Sequence, residues 1–438
     1  MTKFRFARTS LLAAVLGLNF APAVLGMSPV LAAEEKKAPE AAKQETVRPE
    51  LYKLIDPNQV KELMAAKNFA ELKNRITQGA ALPNLTPFEI FILNDARVRV
   101  GSASEDTAML LPALEAMVDS GRMTPRDKLN FIEAAGNTYF QQKDYDKAIT
   151  WYNRYSTESG DAAKTRLQIL RSLYLKNDFT AVKAETRKDI AAREAAGQAP
   201  TVDELKLLQS AAAQGKDMVT YMSALELFVK YYPTEANWNE LMNRTRGKDG
   251  YNMRIDLDML RLKKAVLPKM DGEDLFEMAA LDEQAGFFTE AKAALDAGYA
   301  QGSLGTGPDA AKHKALRDKV NKSAADDAKN VDSGIASATK AKDGIGLVNL
   351  GYVYVTMGQY DKGLDLMQKG IAKGIAKNPE DAKLRLGYSH ILAGKKEEGA
   401  KILATVNPAD GRGDLARYWV MWANRPIPAD AATAAAAK

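Results

Sequence analysis

Few residues of this sequence have the side chains and spacing that chemistry requires. It contains two histidines, His313 and His390, and no cysteine, and neither histidine has Cys, Asp or Glu neighbours at metal-ligand spacing. The carboxylate pairs Asp326-Asp327 and Glu397-Glu398 lack apolar neighbours that would raise a pKa for acid–base work, so they are interpreted as solvated helix faces. We therefore predict no enzymatic activity, no metal and no cofactor.

Known catalytic and phosphate-binding motifs are also missing. The sequence has no G-x-x-x-x-G-K-[ST], H-E-x-x-H or G-x-S-x-G motif and no calcium-binding loop. The formal net charge is +5, and Lys and Arg alternate with Asp and Glu instead of forming a basic stripe. A nucleic-acid-binding protein is expected to have such a stripe, so we predict no nucleic-acid partner.

The N-terminal residues 1–32 are predicted to be a secretory signal peptide. Lys3, Arg5 and Arg8 precede an uncharged stretch that begins at Thr9, and Val30-Leu31-Ala32 supplies small residues before a cleavage point. Removal of this segment would leave a protein without stable membrane insertion, exported across the inner membrane into the periplasm. The alternative is an uncleaved N-terminal membrane anchor, because the uncharged stretch is long enough to span a bilayer.

Two further segments lack the apolar residues that a packed core requires. Residues 33–49 are charged and rich in alanine and proline, and residues 426–438 form an alanine-rich, low-complexity tail. Such segments bury too little surface to compensate for the entropy of ordering. We predict a disordered linker and a disordered tail.

The rest of the chain shows helical periodicity. Apolar patterns of about a dozen residues are separated by Gly, Asn, Asp and Pro, without a convincing period-2 strand segment. Tyr145 and Phe179 stand 34 positions apart, as do Gly136 and Leu170, which indicates a repeat of paired helices. Residues 50–128 read as helical hairpins with weak repeat character, and residues 308–342 as a degenerate pair.

Two segments carry similar residue types at the offsets of one repeat pattern. One consists of Leu347, Leu350, Gly351, Tyr354, Gly358, Tyr360 and Gly363; the other of Ile132, Ala135, Gly136, Tyr139, Tyr145, Ala148 and Tyr152. This pattern resembles the tetratricopeptide repeat superfamily over most of residues 129–405. The resemblance implies an all-α fold in which stacked antiparallel helix pairs form an α-solenoid, a right-handed superhelix, over residues 129–425.

The resemblance also implies a binding groove. In this superfamily the second, fifth, ninth, twelfth and thirteenth positions of each first helix face the concave side. On the register set by the glycines, the candidate partner contacts are Asn137, Phe140, Lys164, Arg171, Tyr174, Tyr352, Val355, Tyr388 and Ile391. Some members clamp a C-terminal carboxylate there, but Glu133 and Gln168 depart from that pattern, so such a clamp is not predicted.

The aromatic segment from Leu415 to Trp422 has two interpretations. It is predicted to be a capping helix that covers the last apolar face; the alternative is a helix that docks a partner or touches a membrane.

Taken together, these features predict an exported, non-enzymatic scaffold that binds a protein or extended peptide along its concave face. The alternative is a structural subunit of a cell-envelope assembly or polysaccharide-export complex.

Overall fold

The computed structural model describes residues 45–425, except for the side chains of residues 327–330. These described residues are 77% helical and contain 21 α-helices and no β-strand. Successive helices pack against each other, as in an all-α solenoid of helical repeats, so the predicted fold class is confirmed. The predicted signal peptide, most of the predicted linker and the predicted tail lie outside the described residues.

The chain divides into two compact units between Thr186 and Arg187. The division falls inside helix α9 (Phe179–Ala195). The N-terminal unit contains α1 (Pro49–Leu54), α2 (Pro57–Ala65), α3 (Phe69–Ala80), α4 (Pro87–Ala103), α5 (Thr107–Asp119), α6 (Pro125–Gln141), α7 (Tyr145–Ser159) and α8 (Ala162–Leu175). The predicted boundary between residues 128 and 129 stays a prediction.

The C-terminal unit contains twelve complete helices among the described residues. They are α10 (Val202–Gln214), α11 (Met218–Tyr231), α12 (Glu235–Arg246), α13 (Asp256–Val266), α14 (Gly272–Ala285), α15 (Phe288–Ala300), α16 (Ala310–Lys340), α17 (Ile345–Thr356), α18 (Tyr360–Lys373), α19 (Pro379–Leu392), α20 (Lys396–Leu403) and α21 (Arg412–Ala423). The apolar faces of α11 to α21 form one extensive core that reaches from Met222 to Ala423, whereas Leu205 and Leu208 of α10 belong to a smaller cluster with Ile190, Ala224 and Phe228.

The start of the described chain is attached to the N-terminal unit. Arg48 pairs with Glu89, with Nε 2.7 Å from Oε1, and donates to the carbonyl groups of Pro83 and Asn84. Glu89 also accepts a hydrogen bond from the backbone of Thr86, which completes a capping box at the start of α4. The last residues of the predicted linker are therefore held against α4.

A recurring turn joins the two helices of many hairpins. Five of these turns place a non-glycine residue at φ between +53° and +66°, at Lys67, Glu105, Lys143, Asn177 and Lys216. In each, the next residue is Asn or Asp and caps the second helix: Asn68, Asp106, Asp144, Asp178 and Asp217. A left-handed backbone disfavours side chains, whereas an N-cap hydrogen bond stabilises the helix that follows.

Three turns of the C-terminal unit use a different combination. Gly286, Gly358 and Gly394 adopt the positive φ, and the residues after them are Phe287, Gln359 and Lys395. None of these three forms a side-chain cap. Because glycine adopts this conformation without strain, the turn forms without the cap that the other five have.

Helices α17 and α18 approach each other closely because both lack side chains at the contact. A Cβ atom on Gly351 would lie 2.5 Å from the carbonyl oxygen of Gly363, and one on Gly363 would lie 2.6 Å from that of Gly351. The repeat pattern predicts small residues at both positions, and the packing explains why any larger residue would push the helices apart.

Helix α16 differs from the expected helix pair. Residues 310–340 form a single helix of 31 residues where the sequence pattern suggests two. This segment is rich in Ala and Lys, and no residue in it has the positive φ that ends the first helix of the other hairpins. Strong helix formers without a turn therefore favour one continuous helix.

The aromatic segment near the C-terminus forms α21 and packs back on earlier helices of the same unit. Leu415, Tyr418 and Trp419 are fully buried. The hydroxyl groups of Tyr418 and Thr245 are 2.9 Å apart, and Lys248 forms an ion pair with Asp414. The helix thus covers apolar surface of this unit, and its role as the cap of the repeat array stays a prediction. Over residues 45–425, none of the helices combines the length and apolar character needed to cross a bilayer.

Candidate partner-binding surface

One face of α8 carries three of the predicted partner contacts and one further residue that has the same helical spacing. We call Lys164, Leu167, Arg171 and Tyr174 the α8 stripe; their spacing places them on one side of the helix. The opposite side is buried through Ile169, Leu170 and Leu173. The helix begins after Asp161, whose carboxylate accepts from the backbone N–H of Ala163 and of Lys164. Burial of one side thus fixes the orientation of the stripe.

The α8 stripe includes an exposed apolar residue. Leu167 is 49% exposed, and Leu175, three turns after Lys164, is 40% exposed. Both are among the few large apolar side chains that solvent reaches in residues 45–425. Leu167 and Leu175 occupy the fifth and thirteenth positions of the first helix of their repeat. Both positions belong to the groove register, which could therefore have identified these two residues, although the predicted partner contacts do not include them.

A second set of side chains on α6 lies next to the α8 stripe. Glu133, Asn137 and Phe140 share one side of α6 by the same helical spacing. Lys164 Nζ lies 2.6 Å from Glu133 Oε2 and 4.8 Å from the ring centroid of Tyr155. The hydrogen bond from Lys164 to Glu133 raises the pKa of the lysine, so its ammonium group stays charged. We call these α6 residues, together with the α8 stripe and Leu175, the α6–α8 surface.

Tyr152 of α7 forms a hydrogen bond with Asn137 of the α6–α8 surface. Its hydroxyl group donates to Asn137 Oδ1 at 2.9 Å. Burial raises the pKa of Tyr152, the charge of Glu133 raises it further, and Arg171 opposes the shift. The phenol therefore stays protonated, and its hydrogen bond fixes the orientation of the Asn137 amide. Because no described residue accepts a hydrogen bond from Asn137 Nδ2, this nitrogen can donate to a partner.

The aromatic residues at the ends of α6 and α8 form equivalent contacts. The ring of Phe140 meets that of Tyr145 edge to face at 5.6 Å, and the ring of Tyr174 meets that of Phe179 in the same way at 5.4 Å. Each pair joins the end of one helix to the start of the next. Phe140 and Tyr174 are half-buried, so each ring combines a packing role with a solvent-facing edge.

The four candidate contacts in the C-terminal unit have a different environment. Tyr352, Val355, Tyr388 and Ile391 are each at most 4% exposed. The register predicts groove-facing side chains for an open array, whereas here Arg261 of α13 contacts the Tyr352 ring, and Asp258 of α13 and Trp419 of α21 contact Tyr388. Contact between a partner and these four residues would require the core to open, and it stays a prediction.

Arg261 of α13 organises the polar part of this buried region. Its guanidinium group contacts Asp258 at 2.9 Å, Asp282 at 3.1 Å and Glu290 at 2.7 Å. We call these four residues, with Tyr352 and Tyr388, the Arg261 cluster. The Tyr388 hydroxyl donates to Asp258 at 2.8 Å, and that of Tyr352 donates to Glu290 at 3.1 Å. The repeat register does not predict this cluster.

The two histidines are far from the α6–α8 surface in sequence, and each contacts another residue of the C-terminal unit. His313 Nδ1 accepts from the backbone N–H of Gly305 at 3.1 Å. His390 is buried beside Gln368, with their Nε2 atoms 3.4 Å apart. No group of three or more His, Cys, Asp or Glu residues suited to a metal ion occurs in the part of the chain that the structure describes.

Comparison with protein families identifies one of the two strong repeats. Residues 132–157 match the tetratricopeptide repeat family, a segment that contains the end of α6 and most of α7. A comparison with curated proteins finds no match. The match supports a tetratricopeptide repeat at this place, and repeats of this kind suggest a scaffold for protein–protein interaction.

Proposed function

We propose that this protein is an exported, non-enzymatic scaffold that binds a protein or an extended peptide through the α6–α8 surface. The observation that carries the proposal is the solvent exposure of Leu167 and Leu175 beside charged and aromatic side chains. A surface that combines exposed aliphatic groups with polar anchors is suited to protein recognition, since the apolar groups supply affinity and the polar groups fix orientation.

The polar groups of the surface support the same function. Glu133, Lys164 and Arg171 offer charges of both signs, and the Asn137 amide offers a donor that is held in place by Tyr152. An extended peptide presents backbone carbonyl groups at regular intervals, and such groups accept hydrogen bonds from fixed amides. The α6–α8 surface would then recognise the backbone of the partner and an apolar side chain that covers Leu167.

Export to the periplasm is part of the proposal and rests on the N-terminal sequence. A basic start, an uncharged stretch and a small-residue site occur in that order within residues 1–33. N-terminal sequencing of the protein from its producing cells tests this directly. A mature chain that starts close to residue 33 supports export with cleavage, whereas a chain that starts at Met1 contradicts it.

Photo-cross-linking tests the binding surface. A photoreactive phenylalanine analogue is placed at Leu167, at Leu175 or, as a control, at Val219, which is 81% exposed on α11. We expect the same partner to be captured from positions 167 and 175 in the producing cells, and not from position 219. Equal capture at all three positions, or capture at none, would contradict the proposed surface.

A matched pair of substitutions then tests whether the surface supplies affinity. Leu167→Asp should weaken binding of the captured partner by about tenfold, because a charge replaces apolar contact area at the interface. Val219→Asp makes a comparable change at another exposed aliphatic residue and should leave binding unchanged. A partner that remains bound at fixed stoichiometry despite Leu167→Asp would favour the alternative of a permanent subunit in an envelope assembly.

A further inference from the structure

A cavity of about 290 Å³ lies in the C-terminal unit, where the turn between α14 and α15 faces α16 and α17. Its larger lining side chains are Phe287, Phe288, Val331, Leu350, Val353 and Asn349. Among the described residues, Ala285, Gly286 and Gly334 also line this space. The cavity adjoins α16, the single helix that replaces an expected pair.

The size and lining of this cavity restrict what it can hold. A dry, apolar cavity of about 150 Å³ accommodates benzene, and ligand pockets begin near 300 Å³. The cavity therefore matches a molecule of roughly ten non-hydrogen atoms. The cavity is partly open to solvent, and most of its lining side chains are aliphatic or aromatic, so a molecule with an apolar part suits it.

Asn349 supplies the polar contact. Its Oδ1 accepts from Arg385 Nη1 at 3.0 Å, and the Arg385 guanidinium lies 5.1 Å from the ring centroid of Phe287 and 5.5 Å from that of Tyr352. These contacts fix the Asn349 amide with its oxygen on the arginine. No described residue accepts from Asn349 Nδ2, so this amide nitrogen has hydrogens to donate to an oxygen on a ligand.

We propose that this cavity is a binding site for a small apolar molecule that carries one carbonyl oxygen. The apolar part would fill the space between Phe287, Leu350 and Val353, and the carbonyl oxygen would accept a hydrogen bond from Asn349 Nδ2. The site is independent of the α6–α8 surface, because all of its residues belong to the C-terminal unit.

Methyl NMR on the full-length protein tests this site with two probes of similar shape. Acetophenone has the carbonyl oxygen, and ethylbenzene lacks it. We expect both probes to shift the methyl signals of Val331, Leu350 and Val353, with a Kd on the order of 1 mM for molecules of this size. Acetophenone at millimolar concentration that leaves these three signals unmoved would overturn the proposal.

Two variants separate filling of the cavity from loss of the polar contact. A Cβ atom on Gly334 would lie 3.4 Å from both Cδ atoms of Leu350, so Gly334→Leu places a side chain at the cavity wall and should weaken both probes by about tenfold. Ala336→Leu, at an exposed position of the same helix, should change neither.

Asn349→Leu should weaken acetophenone by roughly fivefold, the effect of one hydrogen bond, and leave ethylbenzene within about twofold of the unaltered protein. This comparison does not depend on how Gly334→Leu folds. Equal effects of Asn349→Leu on the two probes would contradict the role of the amide, and unchanged binding in a folded Gly334→Leu variant would contradict the site.

Discussion

Arg261 donates two hydrogen bonds to one oxygen of Glu290, from Nε at 2.9 Å and from Nη2 at 2.7 Å, inside the core of the C-terminal unit. Both residues are less than a tenth exposed. Two further carboxylates, Asp258 and Asp282, contact the same guanidinium group. A single guanidinium group thus contacts three buried acidic side chains, which belong to α13, α14 and α15.

Replacement of Arg261 is expected to destabilise the C-terminal unit strongly. Arg261→Met should lower the free energy of unfolding by about 3–5 kcal/mol, because it leaves buried carboxylates without their cation. Urea unfolding followed by tryptophan fluorescence measures this, since Trp238, Trp419 and Trp422 lie in that unit. The matched control is Arg244→Met, which removes a largely exposed pair with Glu240 and should cost about 0–1 kcal/mol. Similar losses for the two variants would contradict the prediction.

The stability of this unit should also depend on pH through Asp282. Burial raises the pKa of Asp282 well above its usual value, and the charge of Glu290 raises it further. A folded-state pKa above the unfolded one means that the stabilising contribution exists at low pH and is lost as pH rises through the folded pKa. Within that window, each pH unit changes the free energy of unfolding by up to about 1.4 kcal/mol.

Asp282→Asn removes this titration and tests the pH effect. Unfolding free energies measured at several pH values should fall less steeply with rising pH in Asp282→Asn than in the unaltered protein. Asp318→Asn, at an exposed ion pair with Lys314, serves as the control and should leave the profile unchanged. Parallel profiles for the unaltered protein and Asp282→Asn would show that this carboxyl group does not carry the dependence.

A missing helix cap offers a stabilising substitution. Gln359 precedes α18 with φ −87° and ψ 62°, close to the −82° and 74° of Asp144 before α7, yet only Asp144 caps its helix. Gln359→Asp should therefore raise the free energy of unfolding by about 0.5–1 kcal/mol through a hydrogen bond to the backbone N–H of Lys362. Gln359→Glu adds the same charge without the short side chain that the cap requires. Equal stabilisation by both variants would attribute the effect to charge.

His390 is expected to make the unit sensitive to acid. Burial lowers the pKa of His390 below its usual 6.5, and the charge of Lys395 lowers it further. The unfolded chain therefore binds the proton more tightly, so stability falls as pH falls through 6.5 toward the folded pKa. The difference in unfolding free energy between the unaltered protein and His390→Leu should change between pH 7 and pH 5 in favour of the variant. A difference that stays constant would contradict this.

Much of the fold could be predicted from local sequence. The glycines and alanines at helix contacts, such as Gly136 and Gly351, and the Asn or Asp that caps five of the second helices depend on neighbouring turns and helices, which a short pattern encodes. Helix α16 could not be predicted in this way, because apolar periodicity continues through it and only the lack of a left-handed turn residue separates one helix from two.

The candidate site was predictable only in part, for a related reason. Lys164, Arg171 and Tyr174 follow from the repeat register, and their neighbours in α6 and α7 lie within the same or the preceding repeat. The environment of Tyr352 and Tyr388 depends on Arg261, a residue of another hairpin. A register describes each repeat and its immediate neighbours, and so it does not reveal that α13 contacts α17 and α19.

The contacts of α21 have a consequence for how the C-terminal unit folds. Linear repeat arrays have low contact order, and they fold by addition of one repeat to the next. Here Thr245 contacts Tyr418 across 173 positions, and Asp258 contacts Tyr388 across 130. The entropy of closing such long loops has to be lost before these contacts form. We therefore expect this unit to fold slowly and cooperatively, so that removal of its last helix also lowers the stability of its first helices.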